Sequence, residues 1–138
     1  MEKAFDYLTD EDRALLEEKG EVIDVEKDQL ILETGERRRA LYVILEGSCR
    51  VVQTIKGNDE TVAVLAQNEF FGDMNFLEGL GASANALAEE PAKLLAITPE
   101  EAHTLLAADS GLAMRFYHSL AISLSRRLRA TTAKLMEG

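Results

Sequence analysis

Few residues in this chain could do chemistry, and one run gathers most of them. Asp73 stands between Phe70-Phe71-Gly72 and Met74-Asn75-Phe76-Leu77, and the small residues Gly81, Ala82 and Ser83 follow closely. Glycine permits positive φ and lets the backbone approach a neighbour. A helical turn over residues 73–77 would present free N–H groups, and successive turn N–H groups form a nest; both favour an anion. The run is therefore a cradle for a small ligand with one carboxylate, Asp73, at its mouth. The same spacing also fits a turn that caps a barrel. Other chemistries find little support. The 2 histidines, His103 and His118, fall in predicted helices, far from the barrel strands that would have to supply a clustered metal site. No Ser-His-Asp spacing and no G-x-S-x-G elbow occurs. The single Cys49 excludes an internal disulfide and a multi-cysteine metal centre.

Positioning that run requires a folded domain, and the composition supplies one. A length of 138 residues predicts one domain with a core that needs no staples. Apolar residues make up 46% and charged residues 29%, the balance of a soluble globular chain. No apolar run reaches membrane-spanning length and no signal-peptide pattern opens the chain, so the expected compartment is the cytoplasm. A net charge of −10 repels nucleic acid, so direct nucleic-acid binding is not expected.

Thr9 caps a first helix that carries acid in its first turn and ends at Gly20. Residues 21–26 alternate as a strand with one wet face, and residues 30–32 form a second strand. Arg37-Arg38-Arg39 is a basic cluster, read either as an anion or partner site or as a solvated loop. Residues 41–45 are apolar on both faces, as in a central strand, and residues 48–54 return as a hairpin partner. Residues 61–65 lead into the Asp73 run, and residues 85–88 and 92–97 follow as short strands. Turns every 8–12 residues predict a jelly-roll-like barrel. Thr98, Pro99 and Glu101 start a helix that runs to about residue 107. From Leu112 to about Lys134 no proline or glycine interrupts. There Ala113, Tyr117, Leu120, Leu124, Leu128, Thr131 and Leu135 share one face at spacings of 3 and 4. A helix of roughly 23 residues spans about 35 Å, more than a small barrel covers. Tyr117, Leu120, Leu124 and Leu128 are accordingly expected at a homodimer interface.

These residues together resemble the cyclic-nucleotide-binding domain family, as in the effector domain of catabolite activator proteins. Residues 71–77, Phe-Gly-Asp-Met-Asn-Phe-Leu, are similar to the first half of its phosphate-binding cassette, F-G-E-[LIM]-x-[LF]-L. Residues 81–88 occupy the second half, P-R-[SAT]-A-x-x-x-A. Gly35, Leu41-Tyr42-Val43-Ile44 and Gly47 resemble the family's glycine-spaced strand signature. The resemblance implies a mainly β fold: a double-stranded β-helix over about 21–97, a short N-terminal helix, and C-terminal helices over about 99–136 that end in a long dimerisation helix. It implies ligand contacts at Gly72, Asp73, Met74, Ala82, Ser83 and Ala84. From the last helix it implies Thr131 and Thr132 near a base and Arg127 near the cassette acid. It also implies that the sequence ends, at Gly138, where the family's helix-turn-helix begins.

Two departures matter. The family's ribose-binding glutamate is the shorter Asp73, and its phosphate-binding arginine is Ala82. Losing a two-bond arginine clamp costs about 3–6 kcal/mol. Cyclic-nucleotide binding is therefore expected to be weak or absent unless Arg127 or Arg50 substitutes. The expected function is a non-catalytic sensor without metal or catalytic cofactor. It would bind a cyclic nucleotide or another small effector in the β-roll and signal through the last helix to a protein partner. The alternatives are a ligand-free structural dimerisation module and a cupin-like metal enzyme.

Overall fold

The computed structural model describes residues 7–137. The elements run α1 (Asp10–Lys19), β1 (Glu21–Val25), β2 (Leu30–Leu32), β3 (Leu41–Glu46), β4 (Cys49–Ile55), β5 (Asn58–Leu65) and β6 (Phe70–Phe71). They continue with α2 (Asp73–Glu78), β7 (Asn85–Ala88), β8 (Ala92–Ile97), α3 (Pro99–Ala108) and α4 (Ser110–Glu137). The strands form two antiparallel four-stranded sheets, ordered β1-β8-β3-β6 and β2-β7-β4-β5.

Side-chain alternation divides the interior in two. On β3, Tyr42 and Ile44 face the second sheet while Leu41 and Val43 face the helices. On β8, Leu94 and Ala96 take the first direction and Leu95 and Ile97 the second. Both strands are covered on both faces, as the unbroken apolar run of residues 41–45 predicts for β3. The helix-side core adds Leu16 of α1, Leu106 of α3 and Leu112, Phe116 and Leu120 of α4. The inter-sheet core is lined largely by small residues, with Ala82, Ala86, Ala88, Ala92 and Ala96 beside Tyr42 and Phe71.

The predicted caps form. Thr9 and Asp12 exchange reciprocal hydrogen bonds of 3.0 Å, and Thr98 and Glu101 do the same at 3.2 and 2.9 Å. Asp12 also receives two hydrogen bonds from Arg115, at 2.6 and 2.9 Å, and so ties α1 to α4. Gly20 ends α1 in extended backbone, and its requirement is space: a Cβ there would lie 2.7 Å from the Ala96 carbonyl.

Three expectations change. α4 begins at Ser110, ahead of the expected Leu112, because the Asp109 carboxylate accepts from the Leu112 N–H at 3.1 Å and starts a new helix where α3 stops. β5 begins at Asn58, three residues early, because the hairpin turn is only Lys56-Gly57. Leu120 does not face a partner: it is 2% exposed in the helix-side core, beside Leu112 and Phe116.

Candidate functional site

The site is built where β6 stops. Phe71 stacks on Tyr42, ring centroids 5.0 Å apart, and pairs with it across β3 and β6. Gly72 then turns the chain at φ +80, and a Cβ there would lie 2.7 Å from the Ala40 carbonyl. A side chain is excluded on both grounds. The turn starts α2 and places Asp73 in its first turn, 5% exposed.

A polar clamp fixes α2 and the loop after it. The Asn75 side chain is 2% exposed; it donates to the carbonyls of Glu36 and Arg38 at 3.2 and 2.9 Å and accepts from the Gly81 N–H at 2.9 Å. Arg39 donates to the carbonyls of Asn75, Phe76 and Leu77 at 3.0, 2.7 and 3.3 Å, closing the C-terminal end of α2. The backbone completes the clamp: Gly35 N–H donates to Ala82 O at 2.8 Å and Ala82 N–H to Glu36 O at 3.0 Å. Ala82 is thereby held in place with its methyl group in the inter-sheet core.

Opposite α2 opens a cavity of about 980 Å³. Its floor is Phe71, Gly72, Asp73, Met74 and Asn75 with Ala82, Ser83 and Ala84. One wall is the β4–β5 hairpin, through Val51, Ile55, Thr61, Val62 and Ala63. The other is the second half of α4, through Leu124, Arg127, Leu128, Thr131, Lys134 and Leu135. The lining is chiefly apolar with a few convergent polar groups, the pattern of a small-molecule site.

Arg127 joins α4 to the floor. It donates to Asp73 Oδ1 at 3.2 Å and to the Phe70 carbonyl, and its guanidinium lies 4.6 Å from the centroid of the Phe70 ring. The two charges offset each other in a site that is nearly dry at the carboxylate, whose side chain is 7% exposed.

The structure thus brings Gly72, Asp73, Met74, Ala82, Ser83, Ala84, Arg127 and Thr131 to one cavity. Thr132 is exposed on α4 outside its lining. Leu124 and Leu128, expected at a dimer interface, line the cavity, whereas Tyr117 is exposed against Phe116. Arg50 pairs outside the cavity with Asp28 at 2.9 Å and Glu89 at 3.4 Å, so it does not replace the clamp. Among the described residues no cluster of histidine, cysteine and carboxylates could hold a metal, and no helix is long and apolar enough to cross a membrane. His103 and His118 are exposed on α3 and α4.

Sequence reading missed Asn75 and Arg39. The signal for Asn75 was a lone amide between Met74 and Phe76. Arg39 looked no different from its neighbours Arg37 and Arg38.

Comparison with known proteins agrees with this geometry. The sequence profile of the cyclic nucleotide-binding domain matches residues 22–109. The cyclic AMP receptor protein of Thermus thermophilus is 35% identical over 102 residues, 73% of this chain and 45% of that protein. A cAMP-dependent protein kinase regulatory subunit of Mycosarcoma maydis is 27% identical over 100 residues, 70% of this chain and 19% of that protein. The crystal structure of Thermus thermophilus catabolite activator protein superimposes with a TM-score of 0.82 at 30% identity, covering 96% of this chain and 61% of that one. The chain spans less than half the length of these curated relatives.

Proposed function

The chain belongs to the cyclic nucleotide-binding domain family, and from that premise we propose that it is a non-catalytic sensor module whose α4 reads occupancy of the β-roll cavity. One observation carries the reading: the second half of α4 is itself a cavity wall, joined to the floor by the Arg127–Asp73 pair. A ligand that enters must meet that helix, so its binding energy differs between poses of α4. The output then passes along α4 to a second copy and to a protein partner.

Cyclic AMP and cyclic GMP are poor candidates for the effector. Ala82 offers the cyclic phosphate no side-chain donor, and Arg127 is already engaged with Asp73 and the Phe70 carbonyl. Dimerisation is proposed through the exposed face of α4, with Tyr117 and Leu128 as its apolar contacts; Leu120 is excluded by its burial, and Leu124 is half-buried in the cavity wall. Sedimentation at tens of micromolar should give about twice the 15.2 kDa chain mass; a monomer would remove that part of the reading.

The sensor reading is tested by thermal shift with cyclic AMP, cyclic GMP and small carboxylates. A compound selective for the folded state raises the melting temperature. The expected result is a shift with at least one small effector and little shift with either cyclic nucleotide. If no compound shifts the protein, the domain is a structural dimerisation module.

A further inference from the structure

The two ends of the cavity differ in charge. At the floor, Asp73 and Arg127 offset each other, and Arg127 also holds the Phe70 carbonyl and covers the Phe70 ring. A phosphate placed there would have to draw Arg127 away and leave a buried carboxylate unpaired, which is strongly unfavourable. Above the floor the walls are chiefly aliphatic, with Val51, Val62 and Ala63 on the hairpin and Leu124 and Leu128 on α4, and their polar groups Gln53, Thr61 and Thr131 are uncharged. The other cation in the lining is Lys134, exposed on the last turns of α4. Among the described residues it forms no ion pair. It lies two helical turns beyond Arg127, about 10 Å along the helix axis.

Building on the sensor reading, we propose that the cavity takes an amphipathic monocarboxylate. Its apolar body, about 10 Å long, lies in the space between the β4–β5 hairpin and α4, and its carboxylate meets Lys134 at the rim. This arrangement keeps the Asp73–Arg127 pair intact and leaves the ligand's single charge partly hydrated, where it need not be buried. It also suits a chain of net charge −10, whose field disfavours polyanions more than a single charge at a lysine.

The test is calorimetric titration of the full chain with octanoate and with octanol, its uncharged counterpart of similar length, both below aggregation. Lys134→Met keeps an apolar stem and removes the charge at an exposed position that the fold does not need. Octanoate should bind the unaltered chain, and Lys134→Met should weaken it about tenfold, the scale of one charge-assisted contact, with octanol unchanged. If Lys134→Met leaves octanoate unchanged, or weakens both compounds equally, the assignment of the carboxylate to Lys134 is overturned. If octanoate fails to bind while cyclic AMP saturates the same protein, the ligand class falls and the sensor reading stands. If octanoate, octanol and cyclic AMP all fail to bind, both fall.

Discussion

Two arginine–aspartate pairs hold α4, one on each half, and they do different work. Arg115 gives Asp12 a two-pronged contact at 2.6 and 2.9 Å, in a half of the helix whose Leu112, Phe116, Ser119 and Leu120 are all buried. Arg127 gives Asp73 one contact at 3.2 Å, in a half where Leu128 is 67% and Leu135 77% exposed. The first half belongs to the core; the second is a wall leaning on a cavity. A helix can thus be anchored at one end and left responsive at the other, because burial, and with it local stability, changes along its length.

The largest expected effect breaks the anchored half. Phe116→Ala, at a position 0% exposed, should cost about 3–5 kcal/mol in urea unfolding. Leu128→Ala should change global stability by less than about 0.5 kcal/mol. Comparable losses at both sites would erase the distinction between the halves.

The next contrast lies in the cavity. A large charged residue in a packed core is ruinous, but Ala82→Arg has open space beside it and should fold. It should raise cyclic-AMP affinity about 10–100-fold in a titration, the scale of one or two charged hydrogen bonds. Adding Asp73→Glu should raise it further. No gain from either, in folded protein, would mean that the cavity is not a vacant nucleotide site.

Acid sharpens the comparison of the two pairs. The Arg115 hydrogen bonds hold the Asp12 carboxyl down to about 2, from an ordinary 3.8. A group whose folded pKa is depressed contributes stability that is present above its unfolded value and is lost as pH falls through the folded one. Each tenfold change in proton affinity between the folded and unfolded chain is worth about 1.4 kcal/mol. Asp12 should therefore contribute about 2 kcal/mol above pH 4 and lose it toward pH 2. Asp12→Asn should flatten that part of the pH–stability curve, measured by urea midpoints. An unaltered acid limb would show that the pair does not anchor α1 to α4.

The smallest global effect is expected at the second pair. Arg127→Gln combined with Asp73→Asn, which removes both charges and leaves no buried carboxylate unpaired, should lower overall stability by about 1 kcal/mol or less. It should nevertheless speed hydrogen exchange in residues 124–135, leaving 112–120 as they were. Equal acceleration in both segments would count against an independent second half.

Much of this architecture was legible in the sequence. Residues 41–45 read as a central strand because their apolar run answers to two cores, residues 92–97 read as a short strand after a turn, and Thr9 and Thr98 marked helix starts through local chemistry alone. Gly72 and Asp73 were legible because a sharp turn before a helix leaves few residue choices. α4 was harder. Its stripe from Ala113 to Leu135 is continuous, but periodicity gives only the direction a side chain takes. What lies there changes midway, from the sheet at Leu120 to the cavity at Leu124 and Leu128. Asn75 and Arg39 were illegible for a related reason. Their partners lie 36 to 39 residues away in most of their contacts, and only the finished fold brings those carbonyls within reach.

The second half of α4 is proposed to sense the cavity while the first half does not. Hydrogen exchange along α4, with and without a saturating effector that raises the melting temperature, tests this most directly. Residues 124–135 should exchange several-fold more slowly with the effector bound, and residues 112–120 should be unchanged beyond the gain in global stability. Unchanged exchange in 124–135, or protection confined to 112–120, would contradict it.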